Sequence, residues 1–362
     1  MNWNIYTADL GWERRPIFNG WVAGGKTRRE FDFQGFFSDD TQQIADKSRR
    51  KIIIIGDSTT FGYNVSTTLT FAELLDKSIP DVDVINIGVI GYSSYQVYKA
   101  LVKHGIKINP SLIIMSSNYN DRRVVLKKTD VDSESKFKKI KKEHTHQILD
   151  QIYLCRLIMF IFKKLGINQD ISNLENININ NLHSRVSPEN YQRNLIKIAE
   201  LAHKKKIHLI FMLLKDNPVL TENLKIGIMH IRESNYELAI NNLTLALKSK
   251  YADNHILARK YLAEVYSKIE NEEKEKEIKI LNKPFLSLFG GHPLYLDREY
   301  NEIMISVAKK YNIKIVDAGH VLDQNPAAYH DFCHPNEYGH QKIAQRLDEV
   351  VLEILFNNSS TN

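Results

Sequence analysis

The stretch KIIIIGDSTTFG, residues 51–62, decides the fold. Four consecutive isoleucines run directly into Gly56, Asp57 and Ser58. A short apolar run bounded by turn residues is typical of a strand that is buried on both faces, as strands of parallel sheets are. Parallel α/β sheets bind their ligands beyond the carboxyl ends of the strands, and Ser58 stands at such an end. The stretch therefore predicts a parallel sheet with Ser58 at its functional edge.

Four further apolar runs follow along the chain, separated by longer stretches whose apolar residues have helical spacing. They are DVINIG (83–88), SLIIMSS (111–117), IHLIFMLL (207–214) and IKIVDAG (313–319). Strand-like runs that alternate with helical patterns predict an α/β fold with helices on both faces of the sheet. We therefore expect a flavodoxin-like, three-layer α/β/α domain whose five-stranded sheet is mainly parallel, with crossover helices at 194–206 and 299–311.

Three segments depart from this alternation. Residues 1–50 are irregular and carry scattered aromatic residues, so we expect an N-terminal arm packed on the α/β domain. Residues 165–185 are rich in asparagine and aperiodic, which is typical of a surface loop. Residues 216–283 are predicted to form a helical insertion, so the main domain would comprise residues 51–215 and 284–362.

The inserted block contains a faint internal repeat. Within residues 222–283, which look wholly helical, Gly227 and Ala263 are 36 residues apart, close to the tetratricopeptide period of about 34. The pattern favours a tetratricopeptide-like helical hairpin that could bind a protein partner. An amphipathic hairpin with no binding role fits the sequence equally well.

Composition excludes some functional classes and leaves the compartment open. The chain has 362 residues and a formal charge of +6, without the basic stripe and interleaved aromatics of a nucleic-acid-binding surface. No secretory signal or transmembrane segment is visible, which favours the cytoplasm. A periplasmic or membrane-associated protein is the alternative if a leader was removed. The apolar segment 152–162 is too short to span a bilayer, and residues 136–164 could form a lid.

A serine needs an adjacent base to become a nucleophile, and His334 is the best candidate. In DFCHPNEYGH (331–340), Asp331 stands three residues before His334 and Pro335 directly after it. Proline disfavours helical backbone in the preceding residue, so His334 is expected on a loop, with Asn336 capping the next helix. A carboxylate on the same loop can bind the second imidazole nitrogen and fix its tautomer.

Four short blocks, in order along the chain, resemble the motifs of the SGNH, or GDSL, esterase and lipase family. They are GDSTTFG (56–62), NIGVIGYSS (86–94), NYND (118–121) and DFCH (331–334). Asn118 and Tyr119 stand where the third block usually opens with glycine, which puts the shape of the substrate pocket in doubt. GDSTT also lacks the second glycine of the GxSxG elbow of α/β-hydrolases.

The resemblance implies a role for each matched residue. Ser58 would be the nucleophile, His334 the base, and Asp331 the residue that orients His334. The oxyanion would be held by the backbone N–H groups of Ser58 and Gly91 and by the side-chain amide of Asn120. We read Asp57 as structural, an anchor of the turn.

The expected reaction is hydrolysis of a carboxylic ester through an acyl-serine, without a metal or organic cofactor. The substrate would be a small acyl ester or an acylated saccharide, with Tyr92 and Tyr119 either lining its pocket or packing in the core. An O-acyltransferase using the same triad on a saccharide acceptor is the alternative. From another class, a protein-binding module with a retired catalytic site is opposed by the intact Ser58, Asp331 and His334.

Overall fold

The computed structural model describes residues 46–125, 183–247, 252–282, 297–322, 325–331 and 333–356, with parts of the first 31 residues. The apolar segment 152–162, the proposed lid 136–164 and residues 165–182 of the asparagine-rich stretch lie outside the described residues. The strands are β1 (Asn4–Ile5), β2 (Glu13–Arg14), β3 (Phe18–Val22), β4 (Thr27–Phe31), β5 (Arg50–Gly56), β6 (Val82–Asn86), β7 (Leu112–Ser116), β8 (Val124–Val125), β9 (His183–Ser184), β10 (His208–Leu213) and β11 (Lys314–Asp317).

The α-helices, numbered along the chain, follow the strands in the alternation that the sequence predicts. They are α1 (Ser58–Phe61), α2 (Phe71–Ser78), α3 (Ser94–Lys103), α4 (Tyr119–Arg122), α5 (Pro188–Lys205), α6 (Pro218–Arg232), α7 (Tyr236–Ala246), α8 (Ala252–Lys268), α9 (Glu272–Asn282), α10 (Asp297–Tyr311), α11 (Ala318–Leu322) and α12 (Glu337–Phe356). Within the described part of the chain, no helix is both long enough and apolar enough to span a bilayer.

Five strands form one parallel sheet in the order β11-β10-β7-β5-β6. This confirms the predicted α/β class and all five strand positions. In the pairing of β5 with β7, Gly56 lies opposite Ser116, so the carboxyl ends of these two adjacent strands are level. The segments that follow them, one with Ser58 and one with Asn120, therefore leave the sheet side by side.

The isoleucine run in β5 supplies both hydrophobic cores. Ile53 and Ile55 face a core that includes residues of α3, α5 and α10. Ile52 and Ile54 face a second core that includes residues of α2, α11 and α12. Because successive strand side chains point to opposite faces, a run without alternation requires an apolar layer on each side of the sheet. The three-layer arrangement follows from this run.

The helical insertion contains two helix pairs, α6–α7 and α8–α9, where the sequence predicted one hairpin. Ser234 and Glu270, 36 residues apart, both adopt positive φ (61° and 56°). At each of these turns an asparagine N–H donates to the carbonyl five residues before it, Asn235 to His230 and Asn271 to Tyr266. Each turn separates the two helices of its pair. The tetratricopeptide likeness and a partner for this block stay predictions.

The described parts of the N-terminal arm contact the loop that carries Ser58. Strands β3 and β4 pair as an antiparallel hairpin. The buried Arg29 guanidinium donates to the carbonyls of Gly62 (2.9 Å) and Val65 (2.7 Å), while Arg14 donates to the carbonyls of Asn86 (3.1 Å) and Gly88. Both guanidinium groups lie over the ring of Phe61, at 5.3 and 5.4 Å from its centroid. The arm therefore braces the loops after β5 and β6.

Candidate active site

Ser58 is the first residue of the short helix α1, directly after the sharp turn that leaves β5. The Asp57 carboxylate caps this helix by accepting from the amide N–H of Thr59 at 3.0 Å, and Gly62 ends it in the left-handed region, φ +82°. A side chain at Gly56 would meet the carbonyl of Ser116 at 2.3 Å, so only glycine permits the tight exit from the sheet. The turn leaves Ser58 only 8% exposed, at the carboxyl end of β5.

The structure brings Ser58, His334 and Asp331 together, although His334 is 276 residues from Ser58 in sequence. Ser58 Oγ lies 2.8 Å from His334 Nε2, and His334 Nδ1 lies 2.7 Å from Asp331 Oδ2. With the proton of neutral imidazole on Nδ1, Nε2 accepts the hydroxyl proton of Ser58 while Nδ1 donates to the carboxylate. This is the arrangement that lets a serine lose its proton during attack.

The loop geometry keeps Asp331 ionised. Burial raises the pKa of Asp331, but the hydrogen bond from His334, the charge of that imidazole when protonated, and the amide N–H groups of Cys333 and His334 lower it, and the net pKa is below its ordinary value. The amide N–H groups of Cys333 and His334 also donate to Oδ1, at 3.0 and 2.9 Å. Pro335 follows His334 as predicted, and Asn336 Oδ1 caps α12 by accepting from the amide of Gly339 at 3.1 Å.

Cys333 lies against the imidazole, with Sγ 3.6 Å from Nδ1. Burial raises the pKa of its thiol well above the ordinary value, so the thiol is neutral at neutral pH. Asp331, Cys333 and His334 have ligand atoms within 4.8 Å of one another, close enough to hold a metal ion. The two imidazole nitrogens are, however, already bonded to Asp331 and Ser58, which is the pattern of a triad.

The residues expected to form the oxyanion hole, Ser58, Gly91 and Asn120, lie in three separate segments, which follow β5, β6 and β7. Gly91 has φ +82°, a conformation that glycine adopts without strain. Among the described residues, the amide N–H groups of Ser58 and Gly91 donate to no other group. Asn120 is 4% exposed, and its Nδ2 donates to Asp57 Oδ2 at 3.1 Å, which leaves a second hydrogen on the same nitrogen.

The two tyrosines expected beside the pocket have different surroundings. Tyr92 is 1% exposed and belongs to the hydrophobic core, and its hydroxyl donates to the carbonyl of Trp12 at 2.7 Å. The enclosed ring and the bonded hydroxyl favour packing in the core, the second of the two roles expected for Tyr92. Tyr119 is half-buried, with the Arg122 guanidinium 5.3 Å from its ring centroid.

The unusual opening of the third block has a structural role. Asn118 is 3% exposed, and its Nδ2 donates to the carbonyl of Leu214 at 3.2 Å and to Asn301 Oδ1 at 2.9 Å. Four residues on, the buried Arg122 pairs with Asp216 through two hydrogen bonds of 2.7 and 3.1 Å. These contacts fix the segment that carries Asn120 to the end of β10.

Three residues near the site had no signal in the sequence motifs. The ring of Tyr63 stacks on the imidazole of His334, with centroids 4.4 Å apart and planes 30° apart. Arg185 falls in the stretch that the sequence assigned to a loop, yet it follows strand β9 and its Nη1 donates to the carbonyl of Gly91 at 2.6 Å. Trp12, in the irregular arm, donates from Nε1 to the carbonyl of Ile90 at 3.0 Å.

No protein-family model and no curated protein matches the sequence. Solved structures do resemble the fold. A lipolytic protein of the G-D-S-L family from Veillonella parvula is 16% identical, with a TM-score of 0.39 and coverage of 85% of this chain and 98% of that one. A GDSL-like lipase from Bacteroides thetaiotaomicron is 12% identical, with a TM-score of 0.42 and coverages of 87% and 96%.

A third structure is a catalytic mutant of an acetylxylan esterase from Geobacillus stearothermophilus. It is 13% identical, with a TM-score of 0.39 and coverages of 83% and 93%. Two of these three structures are named as G-D-S-L proteins, the family that the four sequence blocks resemble. At these identities and TM-scores the case for an activity depends on the side chains of the site itself.

Proposed function

We propose that this protein is a serine esterase that hydrolyses a carboxylic ester through an acyl-serine intermediate. The observation that carries the proposal is the continuous hydrogen-bonded chain from Ser58 Oγ through His334 to Asp331. Ser58 lies at the carboxyl end of β5, and parallel sheets hold their ligands at the carboxyl ends of their strands. The oxyanion donors expected from Gly91 and Asn120 support the same reaction.

The first half of the reaction follows from the positions of the protons. His334 Nε2 takes the proton of Ser58 as Oγ bonds to the ester carbonyl carbon, and the carbonyl electron pair moves to oxygen. The oxyanion accepts hydrogen bonds from the amides of Ser58 and Gly91 and from Asn120. Collapse of the tetrahedral intermediate breaks the bond to the alcohol oxygen, which receives the proton from His334.

In the second half, water takes the place of the alcohol. His334 Nε2 accepts a proton from water as the water oxygen attacks the acyl carbon, and the same donors hold the second oxyanion. Collapse returns the proton to Ser58 Oγ and releases the carboxylic acid. Asp331 stays ionised throughout and stabilises the imidazolium. Each oxyanion donor of this kind contributes about 3 kcal/mol to transition-state stabilisation.

Hydrolysis of p-nitrophenyl esters from acetyl to dodecanoyl tests the proposal. We expect the wild-type protein to turn over at least one of them and Ser58→Ala to lose turnover at least about 10³-fold. The exposed Ser66 supplies a matched control, since Ser66→Ala removes the same hydroxyl away from the site. Ser58→Ala that keeps wild-type rates would overturn the proposal, as would a wild type inactive on every ester.

The acyl group and its alcohol are further parts of the proposal. A pocket for small acyl groups predicts activity confined to acetyl and propionyl esters, including acetylated saccharides.

Adding a saccharide acceptor to the assay distinguishes a hydrolase from the alternative, an O-acyltransferase. A hydrolase releases the same yield of free acid with and without the saccharide, whereas a transferase diverts the acyl group to a new saccharide ester.

A further inference from the structure

Trp12 binds the peptide group that carries the N–H of Gly91. Its indole Nε1 donates to the carbonyl oxygen of Ile90 at 3.0 Å, across 78 residues of sequence. The carbonyl of Ile90 and the N–H of Gly91 belong to one peptide unit. That unit is planar and trans, so its C=O and N–H bonds point in opposite directions. Holding the oxygen on one side of the unit therefore fixes the direction of the N–H on the other.

We propose that Trp12 is a positioning residue for the oxyanion hole, acting through the Ile90–Gly91 peptide group. This inference rests on the proposed esterase function, which gives the Gly91 N–H its task. The indole hydrogen bond sets the orientation of the N–H before substrate arrives. A hydrogen bond accepted by the carbonyl also polarises the peptide group, which strengthens the N–H as a donor.

The surroundings of Gly91 hold the same peptide group from other directions. A Cβ on Gly91 would lie 3.2 Å from the Trp12 ring, so the indole packs directly on the Gly91 backbone. The next carbonyl, that of Gly91 itself, accepts from Arg185 Nη1 at 2.6 Å. The two peptide groups on either side of the Gly91 Cα are thus each held by their carbonyl oxygens.

Trp12 is itself fixed within the fold. Its backbone carbonyl accepts from the hydroxyl of the buried Tyr92 at 2.7 Å, and its ring meets that of Tyr92 edge-on with centroids 5.9 Å apart. The Arg185 guanidinium lies 5.7 Å from the centroid of the Trp12 ring. Contacts to a core tyrosine and to the Arg185 guanidinium hold the indole in one orientation, which a positioning residue needs.

The proposal predicts a particular kinetic signature. An oxyanion donor acts on the transition state much more than on the bound ester, so a misdirected N–H lowers kcat and leaves KM nearly unchanged. Loss of a whole donor costs about 10²- to 10³-fold in kcat, and loss of its alignment alone is expected to cost about 10- to 100-fold. The affinity for a boronic acid, which forms a tetrahedral adduct on Ser58, should fall in parallel.

The test compares Trp12→Phe with the wild type in p-nitrophenyl ester hydrolysis and in phenylboronic acid inhibition. Trp21 lies in the same arm and is 63% exposed, so Trp21→Phe makes the same chemical change away from the site. Replacement of Trp12 by 3-benzothienylalanine keeps the ring shape and removes only the N–H. This second variant separates the hydrogen bond from packing if Trp12→Phe unfolds, as judged by thermal unfolding.

We expect both Trp12 variants to lose kcat and boronate affinity, with Trp21→Phe behaving as the wild type. A benzothienyl variant with wild-type kcat and boronate affinity overturns the inference and leaves the esterase proposal standing. A Trp12→Phe variant that loses both kcat and thermal stability, beside a benzothienyl variant that loses neither, also overturns it. Packing of the indole ring would then explain the effect, and its N–H would not. A wild type without Ser58-dependent turnover overturns the esterase proposal, and the inference with it.

Discussion

The carboxylate of Asp57 accepts a hydrogen bond from the side chain of Asn120, with Oδ2 and Nδ2 3.1 Å apart. Its other oxygen accepts from the amide of Thr59 at 3.0 Å. One buried carboxylate thus joins the turn that carries Ser58 to the segment that carries the expected oxyanion amide. Asp57 therefore anchors the turn, as expected, and it also orients the side-chain amide of Asn120.

Asp57→Asn tests this link. The new side chain can still accept from Thr59, but it presents an NH₂ group to the NH₂ of Asn120, so Asn120 must turn away. We expect kcat to fall about 10- to 100-fold with KM little changed. Asp46→Asn, at an exposed position, is the control.

A double-mutant cycle makes the Asp57 prediction specific. If Asp57 acts through Asn120, Asp57→Asn combined with Asn120→Ala should lose little more activity than Asn120→Ala alone. Fully additive losses in the cycle would show that the two residues act independently, against the account.

Asp331→Asn tests the orientation of the imidazole. An amide in this position can donate to Nδ1 and favour the tautomer with the proton on Nε2, which cannot accept from Ser58. We expect kcat to fall about 10³- to 10⁴-fold with the fold intact. Asp81→Asn changes an exposed aspartate and should leave kcat unchanged. A loss below about 10-fold in Asp331→Asn would contradict the role given to Asp331.

The stacking of Tyr63 on His334 predicts a difference between two substitutions. Tyr63→Phe keeps the ring, 4.4 Å from the imidazole in the wild type, and should keep near wild-type kcat. Tyr63→Ala removes a ring contact of about 1 kcal/mol, so kcat should fall about 5- to 10-fold as the imidazole loses its fixed plane. Equal activity in the Phe and Ala variants would show that the stack does not position His334.

His340 predicts how stability depends on pH. Its Nδ1 accepts from the amide of Phe71 at 3.0 Å, and burial, followed by the charges of His330, Arg29 and His334, lowers its pKa to about 3. The unfolded pKa is about 6.5, so between these values the unfolded chain binds the extra proton. The free energy of unfolding therefore falls as pH falls below about 6.5, by at most about 1.4 kcal/mol per pH unit.

Urea unfolding at several pH values between about 7 and 4 measures this slope. His340→Gln should show a flatter dependence, because glutamine can accept from the same amide without titrating. His320→Gln, on the exposed side of α11, should keep the wild-type slope. A His340→Gln variant with the full wild-type slope would assign the pH dependence to other groups.

The local signals in the sequence carry most of the fold. The isoleucines of β5 predict a strand covered on both faces, and the glycine, aspartate and serine after them place the site at its end. Asp331 and His334 are predictable because a base and an orienting carboxylate stand on one loop, and Pro335 disfavours helical backbone at His334. Each of these predictions depends on residues that are neighbours in sequence, where pattern and structure are directly connected.

Contacts across long sequence distances account for what the sequence did not predict. Trp12, Tyr63 and Arg185 carry no motif, and their importance arises only when folding places them beside Gly91 or His334. Tyr92 had a motif position beside Gly91, but its side chain points into the core. Short sequence motifs identify the residues that can take part in the reaction. The residues that fix their positions are brought to them by the tertiary fold and carry no motif of their own.

Direct detection of the acyl-enzyme tests the central claim. The wild-type protein is mixed with p-nitrophenyl acetate, quenched in acid during turnover, digested and examined by mass spectrometry. The account predicts one acetyl group, on the peptide that contains Ser58, and none on that peptide in Ser58→Ala. Steady turnover with no acetyl group on Ser58, or with the acetyl group on another residue, would contradict it.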